Sequence, residues 1–203
     1  MLGVAKYLQE NTDFELYAIV DTNTGIEKAM KEQKIVNFKK IWYFGNKINA
    51  KEKPNKECLK SIEEKHNIVL SHVAYTERLF HKEFNTYHHF DYDEILSILE
   101  QETKFFESIF NEINLDFIIS TAVAQHYQYL LSLLVKKYKT KFVAIETIKF
   151  GDRYIVYEGV PYKYEQEKLG TNLKNKTENE IQEFLKTYVP SRFFVKTNLD
   201  RDY

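Results

Sequence analysis

The chain has 203 residues, 43% of them apolar and 29% charged, which is the balance of a globular domain with a substantial core. Its 29 basic and 30 acidic residues leave a net charge of −1, which argues against a protein that binds nucleic acid or anionic lipid. The single cysteine excludes an internal disulfide. Since no apolar run is long enough to cross a bilayer and no secretion signal is present, we expect a cytoplasmic protein without an integral membrane segment.

The first part of the chain alternates short helical and strand-like patterns. The predicted elements are a helix over 4–9, a strand over 15–21, a helix over 26–33, one or two strands within 34–44 and a helix over 56–66. The stretch 68–84 is ambiguous, because its start is strand-like while later apolar residues recur at helical spacing. The chain therefore begins with a helix, whereas an α/β domain normally begins with a strand.

The clearest helix begins after Asp91, a good N-cap, with Glu94 three residues on as its capping-box partner. An apolar face then continues to about Asn114. The elements predicted after it are a strand over 117–120, a helix over 122–138, a strand over 141–146, a weaker strand over 153–157 and a helix from Thr177 that stops before Pro190. This order predicts a single α/β domain with a Rossmann-like open, mostly parallel sheet and helices on both faces.

Two kinds of site are not supported by the residue pattern. The six glycines are spread too widely to form a dinucleotide-binding or P-loop motif. The segment 88–94 holds two histidines and three carboxylates, but adjacent side chains diverge and two of the carboxylates are explained by capping. We therefore predict no metal site and no cofactor in this chain.

Polar residues follow three of the predicted strands. They are Asp21 at the end of the first strand, Ser120 at the end of the strand over 117–120 with Thr121, Gln125 and His126 after it, and Glu146 at the end of the next strand. Since ligands of open α/β sheets bind where the carboxyl ends of strands meet helix N-termini, these residues predict a polar rim for a hydroxyl-rich ligand. His126 is the candidate general base and Glu146 the second catalytic candidate. The alternative is that Ser120 or Thr121 caps the helix and His126 is solvated.

A second candidate region surrounds Glu77 and Arg78. These two residues either contact a ligand or partner, or form a local ion pair of little energetic weight. Tyrosine and phenylalanine, fifteen of each in the chain, are frequent in 80–92 and 154–164. Aromatic clusters favour sugar stacking or a protein interface, although filling of the core is their usual role.

The central part of the sequence resembles a known protein family. The segments that carry the resemblance are IVNFKKIWYF, the motif Tyr75-Thr-Glu77-Arg78-Leu-Phe80, Glu83-Phe84-Asn85, and the helix over 91–106 leading to Leu115-Asp116-Phe117. Over residues 1–165 the chain is similar to the amino-terminal region of surface- and capsular-polysaccharide biosynthesis proteins, which are GT-B-like glycosyltransferase relatives. The resemblance rests on a pattern of segments and not on a catalytic signature.

The resemblance implies two Rossmann-like domains that face a cleft, one for the carbohydrate acceptor and one for the nucleotide-sugar donor. This chain matches the acceptor side, with its first strand missing and no donor domain, and residues 166–203 form a linker, a helix over 177–189 and a loose tail. Such a chain is glycosyltransferase-like but inactive alone, because transfer requires donor and acceptor to be held together.

Two other interpretations stay open at this point. The chain is a non-catalytic binding or scaffold module of the same pathway, which forms a homo-oligomer or binds a pathway protein through its aromatic surface and carboxyl-terminal helix. Alternatively it is a small α/β enzyme of another kind, for which no nucleophile elbow is visible.

Overall fold

The structure is a computed structural model that describes residues 1–21, 26–148, 153–159 and 177–187. The chain divides into two compact units. The first unit consists of Met1–Ile118 and Val123–Lys141, and the second of Ile119–Ala122 and the residues from Phe142 on. Both units contain strands, and the mixed α/β class predicted from the sequence is confirmed.

Helices and strands alternate along most of the described chain. The helices are α1 Leu2–Asn11, α2 Ile26–Glu32, α3 Lys56–His66, α4 Leu70–Tyr75, α5 Tyr92–Glu112, α6 His126–Leu134 and α7 Glu178–Thr187. The strands are β1 Tyr17–Val20, β2 Lys40–Tyr43, β3 Phe117–Thr121, β4 Lys141–Ile148 and β5 Arg153–Glu158. Short 3₁₀ helices cover Gly45–Lys47, Arg78–Phe80 and Val135–Tyr138.

The described strands form two small sheets. In the first, β1 and β2 are parallel, and Tyr17 lies opposite Lys40. In the second, the order is β3-β4-β5, and β4 pairs with β5 in antiparallel orientation. Only residues 149–152 separate β4 from β5, too few for the crossover of a dozen or more residues that a parallel pair needs. A mostly parallel single sheet is therefore not confirmed, and the open Rossmann-like layout stays a prediction.

Helix α5 is the centre of the first unit. Its apolar residues recur every three or four positions, so one continuous face is buried. The core residues on it are Ile98, Leu99, Phe105, Phe106, Ile109 and Phe110. Helices α3, α4 and α6 all pack against α5, and α6 contributes the buried Leu130, Leu131 and Leu134. Since each such side chain stabilises the fold by about 1.5–3 kcal/mol, this packing fixes where the polar groups of α5 lie.

The amino-terminal end of α5 forms the predicted capping box. Asp91 Oδ1 accepts a hydrogen bond from the backbone N of Glu94 at 2.8 Å, and Glu94 Oε2 accepts one from the backbone N of Asp91 at 3.0 Å. Two backbone N–H groups that the helix leaves unpaired are satisfied in this way. The prediction for this helix start is confirmed.

The start of α6 differs from the prediction. The helix begins at His126 and not at Ala122, and its N-cap residue is Gln125. Ser120 and Thr121 belong to β3, so the expectation that one of them caps the helix is wrong. The reason is local: Gln128 Oε1 accepts hydrogen bonds from the backbone N of Gln125 at 3.2 Å, which fixes the helix start one turn later than the apolar pattern indicates.

Helix α7 also has the predicted start. Glu180 Oε2 accepts from the backbone N of Thr177 at 2.7 Å, and Thr177 Oγ1 accepts from the backbone N of Glu180 at 3.4 Å. Residues 166–176 and 188–203 of the predicted linker and tail lie outside the described residues. Among the helices that the structure describes, none is both long and apolar enough to cross a membrane.

The capping box gives a first testable prediction. We expect Asp91→Ala to lower the free energy of unfolding by about 1 kcal/mol, because it removes the acceptor for the Glu94 N–H. Urea denaturation at high salt is the measurement, since salt screens the weaker charge–dipole contribution. The control is Asp93→Ala, which removes a charge from the same turn and should have the smaller effect. Equal effects of the two variants would contradict the capping role.

Candidate functional site

The most unusual polar feature of the first unit is a histidine held between two glutamates. His126 is the first residue of α6, Glu102 lies in the middle of α5, and Glu77 precedes the 3₁₀ turn Arg78–Phe80. His126 Nδ1 lies 2.7 Å from Glu77 Oε2, and His126 Nε2 lies 2.8 Å from Glu102 Oε1. All three side chains are largely shielded from solvent, with 13%, 7% and 3% of the side chains of His126, Glu77 and Glu102 exposed.

Glu77 is the carboxylate of the cluster that accepts more hydrogen bonds from the protein. Besides the imidazole, its Oε2 accepts from the backbone N of His126 at 3.3 Å, and its Oε1 accepts from the backbone N of Leu79 at 3.0 Å. Burial by itself raises the pKa of Glu77, but the hydrogen bonds from His126 and Leu79 outweigh burial and lower it. Glu77 is therefore ionised at neutral pH.

Glu102 has far fewer donors. Its Oε1 faces His126, whereas its buried Oε2 has no hydrogen-bond partner among the described residues. Burial raises the pKa of Glu102, the hydrogen bond from His126 opposes that effect, and the negative charges of Glu77 and Asp21 add to it. A buried polar atom without a hydrogen-bond partner lowers the stability of the fold. Glu102 Oε2 is therefore the atom of the cluster whose hydrogen bonding needs an explanation.

His126 carries a positive charge at neutral pH. Burial alone lowers the pKa of His126, but its hydrogen bonds to Glu102 and Glu77 outweigh burial and raise the pKa to about 9. Because both ring nitrogens donate to carboxylates, neither has a lone pair for a substrate proton. The predicted role of His126 as general base stays a prediction, and it requires one ring nitrogen to be released from its carboxylate.

Aromatic rings surround the cluster. The ring centroid of His126 lies 4.8 Å from that of Phe80 and 5.7 Å from that of Tyr127. The ring of Tyr127 in turn packs on Phe44, which follows β2. Burial, with the charges of Asp21, Glu102 and Glu77, raises the pKa of Tyr127 to about 12. Tyr127 is thus a neutral phenol near the acidic groups, and the charge of Asp21, which follows β1, acts on the same region.

The predicted site residues fall into both units. Asp21, Glu77, Arg78, Gln125 and His126 belong to the first unit. The members in the second unit are Ser120, Thr121 and Glu146, and Glu146 Oε2 accepts from the hydroxyl of Tyr157 at 3.4 Å. The polar rim that joins the two sets stays a prediction.

Glu77 and Arg78 do not form the local ion pair that was one expectation. Glu77 is turned to His126, and the Arg78 guanidinium lies over the ring of Phe84, 5.0 Å from its centroid. The other alternative, that His126 is a solvated first-turn residue, is also wrong, since its side chain is 13% exposed and bonded on both sides. The structure thus joins two predicted site residues, Glu77 and His126, that the sequence treats separately.

Sequence reasoning missed Glu102. The signal was present, because Glu102 lies three residues after Leu99 and four before Phe106, on the apolar face of α5. A carboxylate at such a position is rarely buried without a partner. The identity of the partner requires the tertiary contact with α6, which no local pattern contains.

The cluster does not have the arrangement of a metal site. The imidazole bridges the two carboxylates and uses both of its nitrogens to do so. Within residues 1–21, 26–148, 153–159 and 177–187, no group of three or more histidine, cysteine, aspartate or glutamate side chains is arranged to hold a metal ion.

Comparison with known proteins adds no relative. No protein-family model, no curated protein and no solved structure matches the chain. The geometry of the site is therefore the main basis for a functional proposal.

The raised pKa of His126 predicts a pH-dependent stability. Protonation of His126 favours the folded state fully below pH 6.5, the ordinary histidine value, and this contribution is lost as the pH rises through about 9. The difference corresponds to about 3 kcal/mol. We expect His126→Gln to be less stable than the wild type at pH 6.5, and the gap to shrink toward pH 9.

Urea denaturation of both proteins across this pH range is the measurement. The control is His72→Gln, which removes an exposed imidazole from α4 and should keep the wild-type pH dependence. A gap between wild type and His126→Gln that stays constant from pH 6 to 10 would show that His126 is not charged in the folded state.

Proposed function

We propose that this chain is the acceptor-side domain of a glycosyltransferase-like protein of cell-surface polysaccharide biosynthesis and that it binds a carbohydrate acceptor. Two things support the proposal. One is the resemblance of residues 1–165 to that family, stated above from the sequence. The other, which carries the proposal, is an exposed group of aromatic rings with an arginine in the first unit, held in a fixed loop beside the buried histidine.

This group, the aromatic surface, consists of Tyr75, Arg78, His81 and Phe84. The ring of His81 packs edge-on against Tyr75 and Phe84, with centroid distances of 5.4 and 6.4 Å. Yet Tyr75 is 78% exposed and Phe84 59% exposed. Exposed rings that are clustered and ordered are typical of surfaces that bind a ligand or partner.

Buried polar groups hold the loop that carries the aromatic surface. Asn85 is buried, and its Nδ2 donates to the carbonyl of Leu79 at 3.0 Å. Its Oδ1 accepts from the backbone N of Tyr87 at 3.0 Å and of His88 at 3.2 Å. At the other end, Glu77 accepts from the backbone N of Leu79. The loop is therefore preorganised, which reduces the entropy that a ligand must pay on binding.

Arg78 adds polar recognition to this surface. Its exposed guanidinium lies over Phe84, and it forms no ion pair with a carboxylate in the part of the chain that the structure describes. A guanidinium donates several hydrogen bonds in a fixed plane, whereas an aromatic ring packs against the apolar C–H face of a sugar. The combination suits a carbohydrate better than a purely apolar partner.

The proposal also includes what the family resemblance implies for the fold, the location and the sugar donor. The two sheets belong to a Rossmann-like acceptor domain in the cytoplasm, and the nucleotide sugar is bound by a separate donor domain. Ser120, Thr121 and Glu146 of the second unit are the proposed contacts to acceptor hydroxyls in that unit, and Asp21 is the proposed contact in the first. We expect the purified chain to be inactive alone, because glycosyl transfer requires donor and acceptor to be held together.

A second candidate function is a non-catalytic docking module of the same pathway. The observation in its favour is the apolar face of α7, on which Ile181 is 45% exposed and Leu185 48% exposed. Light scattering separates the two functions, because self-association that depends on concentration and needs no sugar supports the docking module.

The carbohydrate proposal predicts the effect of removing the aromatic surface. We expect the wild type to bind members of a panel of neutral and uronic-acid oligosaccharides in isothermal calorimetry. Replacing both Tyr75 and Phe84 by alanine should weaken that binding about tenfold or more, because ring stacking contributes about 1 kcal/mol for each ring.

The matched control is Tyr7→Ala. Tyr7 lies on α1 of the same unit and is 65% exposed, so its removal takes away a comparable ring outside the aromatic surface. This variant should bind as the wild type does. Binding that is absent from the wild type, or weakened equally by both changes, would refute the proposed acceptor site.

A further inference from the structure

The two carboxylates on His126 lie in very different surroundings. Glu77 receives three N–H donors, from the His126 ring, the His126 backbone and the Leu79 backbone. Among the residues that the structure describes, Glu102 receives one donor, through Oε1, and its buried Oε2 has no partner. When two titratable groups share one site, such a difference in surroundings moves their pKa values apart, so that one group is protonated while the other is ionised.

A count of charges shows what the surroundings favour. If both carboxylates were ionised, one imidazolium would face two negative charges, and the cluster would hold a net charge of −1 away from water. The second negative charge would lie on the carboxylate with no donor at Oε2. One additional proton on that oxygen makes the cluster neutral, and it leaves both contacts of His126 unchanged. Burial of an uncompensated charge is the more costly state.

We propose that Glu102 is a neutral carboxylic acid at pH 7, with its proton on Oε2, and that this O–H is a hydrogen-bond donor buried in the first unit. Glu77 and His126 then form the ion pair that holds it in place. The inference concerns the first unit alone and does not rest on the proposed carbohydrate function.

The other charged groups that act on Glu102 support this assignment. Glu77 and Asp21 are negative and both favour the protonated form of Glu102, while His126 opposes it through the hydrogen bond to Oε1 and through its positive charge. Tyr127 is neutral at this pH, because its pKa is raised to about 12. Burial is the largest influence, and it also favours the neutral acid.

A hydrogen-bond donor at Glu102 Oε2 pairs with certain kinds of atom only. A carboxylic acid O–H pairs with a hydroxyl, ether or carbonyl oxygen, whereas a carboxylate pairs with N–H and O–H donors and attracts cations. Carboxylic acids kept neutral by an apolar site are used in enzymes as hydrogen-bond donors and general acids. Glu102 thus offers a hydrogen-bond donor, whereas Glu77 is an acceptor, although both contact the same histidine.

The test is a pH titration of the side-chain carboxyl carbons by carbon-13 NMR on the full wild-type chain. The Glu102 resonance is assigned through its bonds to the backbone, so the result does not depend on a variant. We expect the shift of a carboxylic acid at pH 7, and that of a carboxylate only at higher pH. The internal control is Glu100 on the same helix, which pairs with Lys104 and should be ionised.

A matched pair of substitutions gives a second measurement. Glu102→Gln keeps an acceptor for the His126 N–H and places an amide N–H where the Oε2 proton lies, so its urea midpoint at pH 7 should stay near that of the wild type. Glu100→Gln removes the partner of Lys104. A carboxylate shift for Glu102 at pH 7 would overturn the proposal. A loss of stability in Glu102→Gln much larger than in Glu100→Gln would also overturn it, since this would reveal a lost ion pair.

Discussion

The first unit depends on one constraint: a charged imidazole that is removed from water must be paired on both sides. His126 meets it with two carboxylates, 49 residues away in the chain at Glu77 and 24 residues away at Glu102. The pairing therefore joins α6, α5 and the turn before the 3₁₀ helix at one point. Removal of Glu77, the ionised partner, leaves the buried imidazolium poorly compensated, which is among the most destabilising changes in a protein.

The same contacts connect the interior with the surface. Glu77 binds His126 with one oxygen and the backbone of the exposed loop with the other, and the Phe80 ring from that loop packs on the imidazole. The aromatic surface and the buried cluster thus share a support. Exposed rings retain a defined arrangement because their loop is anchored to groups that cannot be moved without breaking an ion pair.

Local signals in the sequence predicted the local structure well. The capping box of Asp91 and Glu94 and the apolar face of α5 were correct, because both depend on residues within one or two turns. The predicted start of α6 was wrong, because a Gln125–Gln128 capping box is a weaker sequence signal than an apolar run. Strand direction could not be predicted from composition, and β5 proved antiparallel to β4.

The candidate site shows the same division between local and distant information. His126, Glu77 and Asp21 were chosen for their residue type and position. The direct contact between Glu77 and His126 could not be found, because it joins segments 49 residues apart, and the spacing of Glu102 marks it only as part of a buried helix face. Hydrogen bonds between segments that lie far apart in the chain leave no trace in periodicity.

The way in which the first unit is assembled from two stretches has a consequence for its biosynthesis. Both glutamates precede residue 118, whereas the histidine belongs to the stretch Val123–Lys141, which follows the short segment Ile119–Ala122 of the other unit. During translation the acids are thus present before their cation. Until α6 emerges from the ribosome, Glu77 has no counter-ion and Glu102 has no hydrogen-bond donor at Oε1, so α6 supplies both a positive charge and an apolar face when it packs on α5.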